Sequence, residues 1–149
     1  MVEEVGPLLM IRQAQTEWEV HTRGRGFHEL TPEVEYFVKE SGIRSGLLTL
    51  HLMHTSASLL VQENADPDVR TDLESFFRRL VVDGDRLFIH TTEGPDDMPA
   101  HIRAALTAVS VTIPIREGGP ALGTWQGIYL WEHRTSPHRR KIVAHVIGE

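Results

Sequence analysis

No cysteine occurs among the 149 residues, which excludes disulfides, thiolate zinc sites and cysteine nucleophiles. No apolar run approaches the ~18 residues that a membrane span needs. The first twelve residues carry Glu3 and Glu4 where a signal peptide has its basic segment. Positive charge is in deficit: 15 basic against 21 acidic residues give a net charge of −6, a balance that argues against general binding of nucleic acid or anionic membrane. HExxH, Walker and GxSxG motifs are missing. No repeat, low-complexity tract or linker divides the chain, so one domain over residues 1–149 is expected. That domain is expected to be cytoplasmic, with no nucleic acid and no membrane as partner. Histidine is in surplus, with nine residues. With thiols excluded, any transition-metal site must come from His with Asp or Glu.

Alternation of apolar and polar residues predicts strands over Leu8–Ala14, Thr16–Thr22, Ser45–Glu63, Arg86–Thr91, Val109–Ile115, Leu122–His133 and Lys141–Ile147. Pro114 favours an edge position for its strand. Three helix starts stand out: Thr31-Pro32 with Thr31 as N-cap, Asp66-Pro67 with Asp66 as N-cap, and Met98-Pro99. The second helix spaces Val69, Leu73, Phe76, Phe77 and Leu80 as a buried stripe. Strands that mostly alternate, with few helices, predict an α+β fold: a largely antiparallel, β-sandwich-like sheet with about three helices packed outside.

Three stretches carry chemistry. In the first, His54, Ser56 and Ser58 continue the face of Leu48, Leu50 and Leu52 if the strand runs on, and Glu63, Asn64 and Asp66 follow before a helix. Such a set can hold an anionic or metal-bound substrate, although capping alone accounts for Asp66. The second, His90 to His101, packs two histidines with Glu93, Asp96 and Asp97 between a strand end and a helix start. Three acids so close repel one another unless a cation or helix dipole offsets them; a solvated acidic turn is the alternative. Carboxylates suit Mg²⁺, and imidazoles suit Zn²⁺. The third runs from Gly123 to Arg134 and aligns Trp125, Tyr129, Trp131 and His133 on one strand face, a surface for core, subunit contact or stacking on a flat ring. His51 and His54 fall on opposite strand faces and form no chelating pair. Arg134 and His138 to Lys141 form a basic stretch that defaults to a solvated loop, with an anion grip as the alternative. Strongly apolar strands and three tryptophans leave more apolar surface than one thin core covers, which favours self-association.

Together, HTSASLLVQENADPDVRTDLESFF, HTTEGPDDMPAHIRAAL with VTIPI, LGTWQGIYLWEHR, the Arg139–Glu149 segment and RGRGFHEL resemble the YjbQ-type family, also described as secondary thiamine-phosphate synthases. The resemblance covers nearly the whole chain. It implies a small sandwich-like α+β fold, a homotrimer, and a weak thiamine-phosphate synthase activity that joins hydroxymethylpyrimidine diphosphate to thiazole phosphate. It implies a polar set of His54, Asn64, Asp66, His90, Glu93, Asp97, His101, Trp125, Gln126 and Glu132. Within it, His54, His90 and His101 are the expected metal ligands for a divalent cation, Mg²⁺ or Zn²⁺. Glu93, Asp97 and Glu132 are expected to serve catalysis. Ser56, Asn64, Asp66, Trp125, Gln126 and Arg139 are expected to bind a small phosphorylated heterocycle. Thr92 stands where many relatives have tyrosine, which removes an aromatic ring from that loop. Two other readings use the same residues: a trimer that only holds a metal or anion, and a metal-dependent hydrolase.

Overall fold

The structure, a computed structural model, describes residues 10–149. It is α+β, with two antiparallel sheets and three helices. The larger sheet has the order β1 (Arg12–His21), β8 (Arg139–Gly148), β3 (Gly46–Leu52), β5 (Ser110–Arg116) and β6 (Gly119–Pro120). The smaller has the order β2 (Gly26–Glu29), β7 (Gln126–Glu132) and β4 (Ala57–Glu63). The sheets share one core. Leu48, Leu50, Ile113, Ile142, Ala144 and Val146 meet Ala57, Leu59, Ile128 and Leu130, with Val34 and Val38 of α1 (Thr31–Ser41) closing one end. The period-2 alternation of β3 and β8 produces this inner face, because successive side chains leave a strand on opposite sides.

Several expected elements take a different form. Arg12 to His21 is one strand paired along its length with β8, not two; Leu8 and Leu9 of the first expected strand lie outside the described residues. Ser45 to Glu63 is cut in two, and β3 and β4 belong to different sheets. Met53 to Ser56 therefore turn between the layers, and His54 does not continue the face of Leu52. Arg86 to Thr91 is not a strand: Asp85 folds it into turns, its Oδ1 accepting from the Leu87 N–H at 2.9 Å and its carbonyl from the Phe88 N–H at 3.2 Å. Thr31 does not cap α1. It is the first helical residue, and its Oγ1 accepts the Ile128 N–H at 2.9 Å, tying the helix to β7. Asp66 does cap α2 (Pro67–Leu80), accepting from the Asp68 N–H at 2.9 Å. The stripe of α2 is only half covered, however, and no residue of that helix is fully buried. The third helix, α3 (Asp97–Leu106), starts with Asp97 inside its first turn and packs on β4.

Candidate metal centre

The tie between the end of β7 and the start of α3 places the site. Arg134 lies two residues past Glu132 and reaches back across the α3 N-terminus. Its Nε–H donates to Asp96 Oδ2 at 2.9 Å, its Nη2 to the Glu93 carbonyl at 2.9 Å, and its Nη1 lies 2.9 Å from Asp97 Oδ1. The Thr135 N–H also donates to Asp96 Oδ2. Burial alone would raise the Asp96 carboxyl, but these bonds and the Arg134 charge hold it at about 2. Burial likewise opposes ionisation of Asp97, and the hydrogen bond from His90 with the charges of His101 and Arg134 brings it below the ordinary carboxylate value.

With Oδ1 fixed by Arg134, the other oxygen of buried Asp97 faces two imidazoles. His90 Nε2 lies 2.7 Å from Oδ2 and His101 Nε2 lies 3.2 Å from it. His101 follows Asp97 by four residues on α3, the spacing that brings helical side chains together. One ligand atom from each of His90, Asp97 and His101 fits within a 4.8 Å group. The exposed Glu93 stands 3.8 Å from His90 Nε2.

The second nitrogen of His101 decides what the group can do. Its Nδ1–H donates to the Thr55 carbonyl at 2.9 Å. In the neutral ring Nε2 then carries a lone pair, and that lone pair faces a carboxylate oxygen. Two acceptors in that position repel unless a proton or a metal cation lies between them. A backbone carbonyl behind the distal nitrogen is also how ligating histidines are oriented elsewhere.

His101 lines a cleft of about 660 Å³ together with His54, Thr55, Leu52, Ala105 and Val109. His90 borders a second, of about 470 Å³, with Phe88, Pro95 and Met98. His54 shares the first cleft but is not part of the three-residue group; its Nε2 accepts the Lys141 N–H at 2.8 Å.

The remaining expected site residues fall in three places. Ser56 and Glu132 sit near the centre in a buried network: Arg140 donates Nε–H to Glu132 Oε2 at 2.8 Å and Nη2–H to Ser56 Oγ at 2.9 Å, and Thr22 Oγ1 donates to Glu132 Oε2 at 2.7 Å. Burial pushes the Glu132 carboxyl up, and these donors overcome it to keep the group below its ordinary value. Glu132 is thus an ionised partner of Arg140. Asn64, Asp66, Trp125 and Gln126 lie at the other end of the β4–β7 pair, where Glu63 faces Gln126, against Ala57 facing Glu132 at the near end. Six residues of strand, about 20 Å, separate the two ends. There the Asn64 N–H donates to the Trp125 carbonyl, Gln126 Oε1 accepts the Gly123 N–H, and Trp125 is largely exposed. Arg139 points outward and lies 3.9 Å from Glu19, while its neighbour Arg140 is buried. The positioning roles of Arg134 and of the Thr55 carbonyl were not apparent from the sequence.

The fold and site define a small α+β protein with a candidate cation centre at the mouth of a cleft. The chain matches the family described as UPF0047 protein YjbQ-like over residues 16–149, and it belongs to that YjbQ family. A UPF0047 protein of Synechocystis is 52% identical over 138 residues, covering 93% of this chain and 94% of its own. The UPF0047 protein YjbQ of Salmonella typhimurium is 48% identical over 128 residues, covering 84% and 91%. A crystal structure of a protein from Aeropyrum pernix has a TM-score of 0.83 at 29% identity, covering 91% of this chain and 99% of that one. A YbjQ-like protein from Sulfolobus solfataricus has a TM-score of 0.85 at 24% identity, covering 94% and 100%, a likeness of fold.

Proposed function

We propose that His90, Asp97 and His101 hold a divalent cation, and that the site handles a small phosphorylated heterocycle in a reaction of the thiamine-phosphate synthase type. The observation that carries the cation is the meeting of His101 Nε2 with Asp97 Oδ2 at 3.2 Å, given that Nδ1 is already engaged by the Thr55 carbonyl. Two imidazoles and one carboxylate form a donor set for Zn²⁺ rather than Mg²⁺, which prefers oxygen ligands and bound water. Bound there, the cation would supply Lewis acidity toward a phosphoryl oxygen.

In the proposed reaction the carbon–oxygen bond to the diphosphate breaks and its electron pair leaves with the diphosphate. The thiazole nitrogen lone pair then forms the new carbon–nitrogen bond, so no proton is lost. The chain's own part is to orient. Arg134 fixes Asp97, Thr55 fixes His101, and Leu52, Ala105 and Val109 give one side of the cleft an apolar lining. Glu93 faces the same region and is placed to stabilise positive charge on the pyrimidine methylene. The exposed apolar residues between α2 and α3 support self-association, and the homotrimer is the assembly that the family resemblance implies.

The experiment is metal analysis of the purified protein together with turnover of the pyrimidine diphosphate and thiazole phosphate. About one zinc per chain is expected, and Asp97→Asn or His101→Ala should lower zinc affinity at least tenfold and turnover with it. Unchanged zinc affinity in both variants would refute the cation. Stoichiometric zinc with no turnover would leave a metal-holding protein and remove the synthase reading.

A further inference from the structure

Two backbone groups, the Thr55 carbonyl and the Lys141 N–H, fix two imidazoles of one cleft in the same tautomer, protonated at Nδ1 and bare at Nε2. The Thr55 carbonyl takes the Nδ1–H of His101 and turns its Nε2 lone pair toward Asp97. At His54 a backbone donor reaches the same tautomer through the other nitrogen: the Lys141 N–H donates to Nε2 at 2.8 Å, so Nε2 must carry the lone pair and Nδ1 the proton. Protonating His54 would set two donors against each other. Burial and the charge of Arg140 also hold this imidazole below its ordinary value, with Lys141 acting in the same sense and Glu132 against it. His54 Nδ1 has no protein partner among the described residues, and His54 lines the 660 Å³ cleft beside His101. The ring is therefore a neutral, fixed hydrogen-bond donor held by backbone, in the same cleft as the candidate cation ligand His101.

We propose that His54 is a ligand-binding residue, donating Nδ1–H to an oxygen of the ligand's phosphoryl group, while the cation site of the preceding section takes another oxygen of the same group. Only the second half rests on that cation. A neutral donor fits this task because it holds an oxyanion without being able to take a proton from it or to bind metal through the nitrogen that faces the cleft. Together with Leu52, Ala105 and Val109, the donor defines the ligand as a phosphoryl group attached to a compact apolar or flat body.

Asparagine and glutamine separate the two ring nitrogens. His54→Asn places an amide nitrogen close to the position of Nδ1, and His54→Gln places its amide near Nε2. The probe is inorganic phosphate, titrated calorimetrically into the full chain with and without zinc. His54→Gln should weaken phosphate about tenfold, His54→Asn should stay within about threefold of the parent chain, and both should keep the parent affinity for zinc. In long-range ¹H–¹⁵N spectra of the parent chain, His54 should show a protonated Nδ1 and a bare Nε2, with the Nδ1 signal shifting as phosphate is added. Equal phosphate binding by His54→Gln and the parent chain would overturn the proposal. So would equal losses in both variants, an Nε2–H tautomer, or an Nδ1 signal unmoved by phosphate. If zinc fails to bind while the two variants still differ toward phosphate, the cation falls and the role of His54 stands.

Discussion

His133 and Glu132 are neighbours at the end of β7, yet their side chains leave opposite faces and meet different surroundings. Glu132 faces the core with Ile128 and Leu130 and is neutralised by Arg140. His133 faces the helices, fully buried, with Ser58 Oγ 2.8 Å from Nε2 and no partner for Nδ1 among the described residues. Burial, then the charges of Arg103 and Arg25, push its imidazole down to about 3 from an ordinary 6.5. The folded value lies below the unfolded one, so the neutral ring's contribution is complete above pH 6.5 and is lost as the pH falls toward 3. Between pH 7 and pH 4.5 that loss is about 2.5 kcal/mol. Urea unfolding of His133→Gln should therefore fall less over this interval than that of the parent chain, by about that amount. Parallel curves would show that His133 does not carry the dependence.

The same alternation shows how much of the site was legible. Arg140 has the parity of Ile142, Ala144 and Val146 on β8, and Glu132 that of Ile128 and Leu130 on β7. An arginine and a carboxylate on inward faces must pair, since burial of either charge alone is prohibitive. That pair was readable, and it explains why Arg139, of the outward parity, is not the buried arginine. The grouping of His101 with Asp97 was readable too, from their i,i+4 spacing. The reach of Arg134 back to Asp97 was not, because it depends on the turn after β7 and no residue pattern encodes that path.

At the scale of elements, the long strands β1, β3, β5, β7 and β8 fall within alternating stretches, whereas Arg86–Thr91 alternates without being a strand and the short β2 carries no alternation long enough to mark it. Phe88 and His90 alternate as a strand would, but Asp85 supplies a side-chain acceptor that satisfies the backbone locally and ends any extension. The break between β3 and β4 falls at the Met53–Ser56 turn, where β3 alternates in its burial and β4 does not, and no glycine or proline marks the turn in the sequence. Asp66 shows how a residue with two readings is resolved by its element. Its Oδ1 accepts the Asp68 N–H at the start of α2, some 20 Å of strand from the end of β4 nearest His101. Asp66→Ala should cost about 1 kcal/mol of stability in urea unfolding and leave zinc affinity unchanged. A loss of zinc affinity without a loss of stability would return Asp66 to the site.

For the whole molecule, the distribution of apolar surface is the informative quantity. The two sheets bury a continuous core, whereas α2 contains no fully buried residue and exposes more than half of Phe76 and Leu80, and the segment that follows it leaves Val82 more than half, Leu87 87% and Ile89 99% exposed. Side chains of this kind in one stretch mark a surface that another chain covers, and a homotrimer is the assembly proposed for this chain. Ile89 immediately precedes His90, so covering it would also order the loop that carries one metal ligand. The parent chain should sediment at three times 16.9 kDa. A Leu87→Asp, Ile89→Asp double variant should shift toward the single-chain mass, because burying two carboxylates at a contact costs several kcal/mol. If assembly orders His90, zinc affinity should fall in the same variant while the far-UV circular dichroism stays that of the parent. Sedimentation of both proteins as trimers would move the interface elsewhere, and sedimentation of both as monomers would leave Leu87 and Ile89 in contact with water alone.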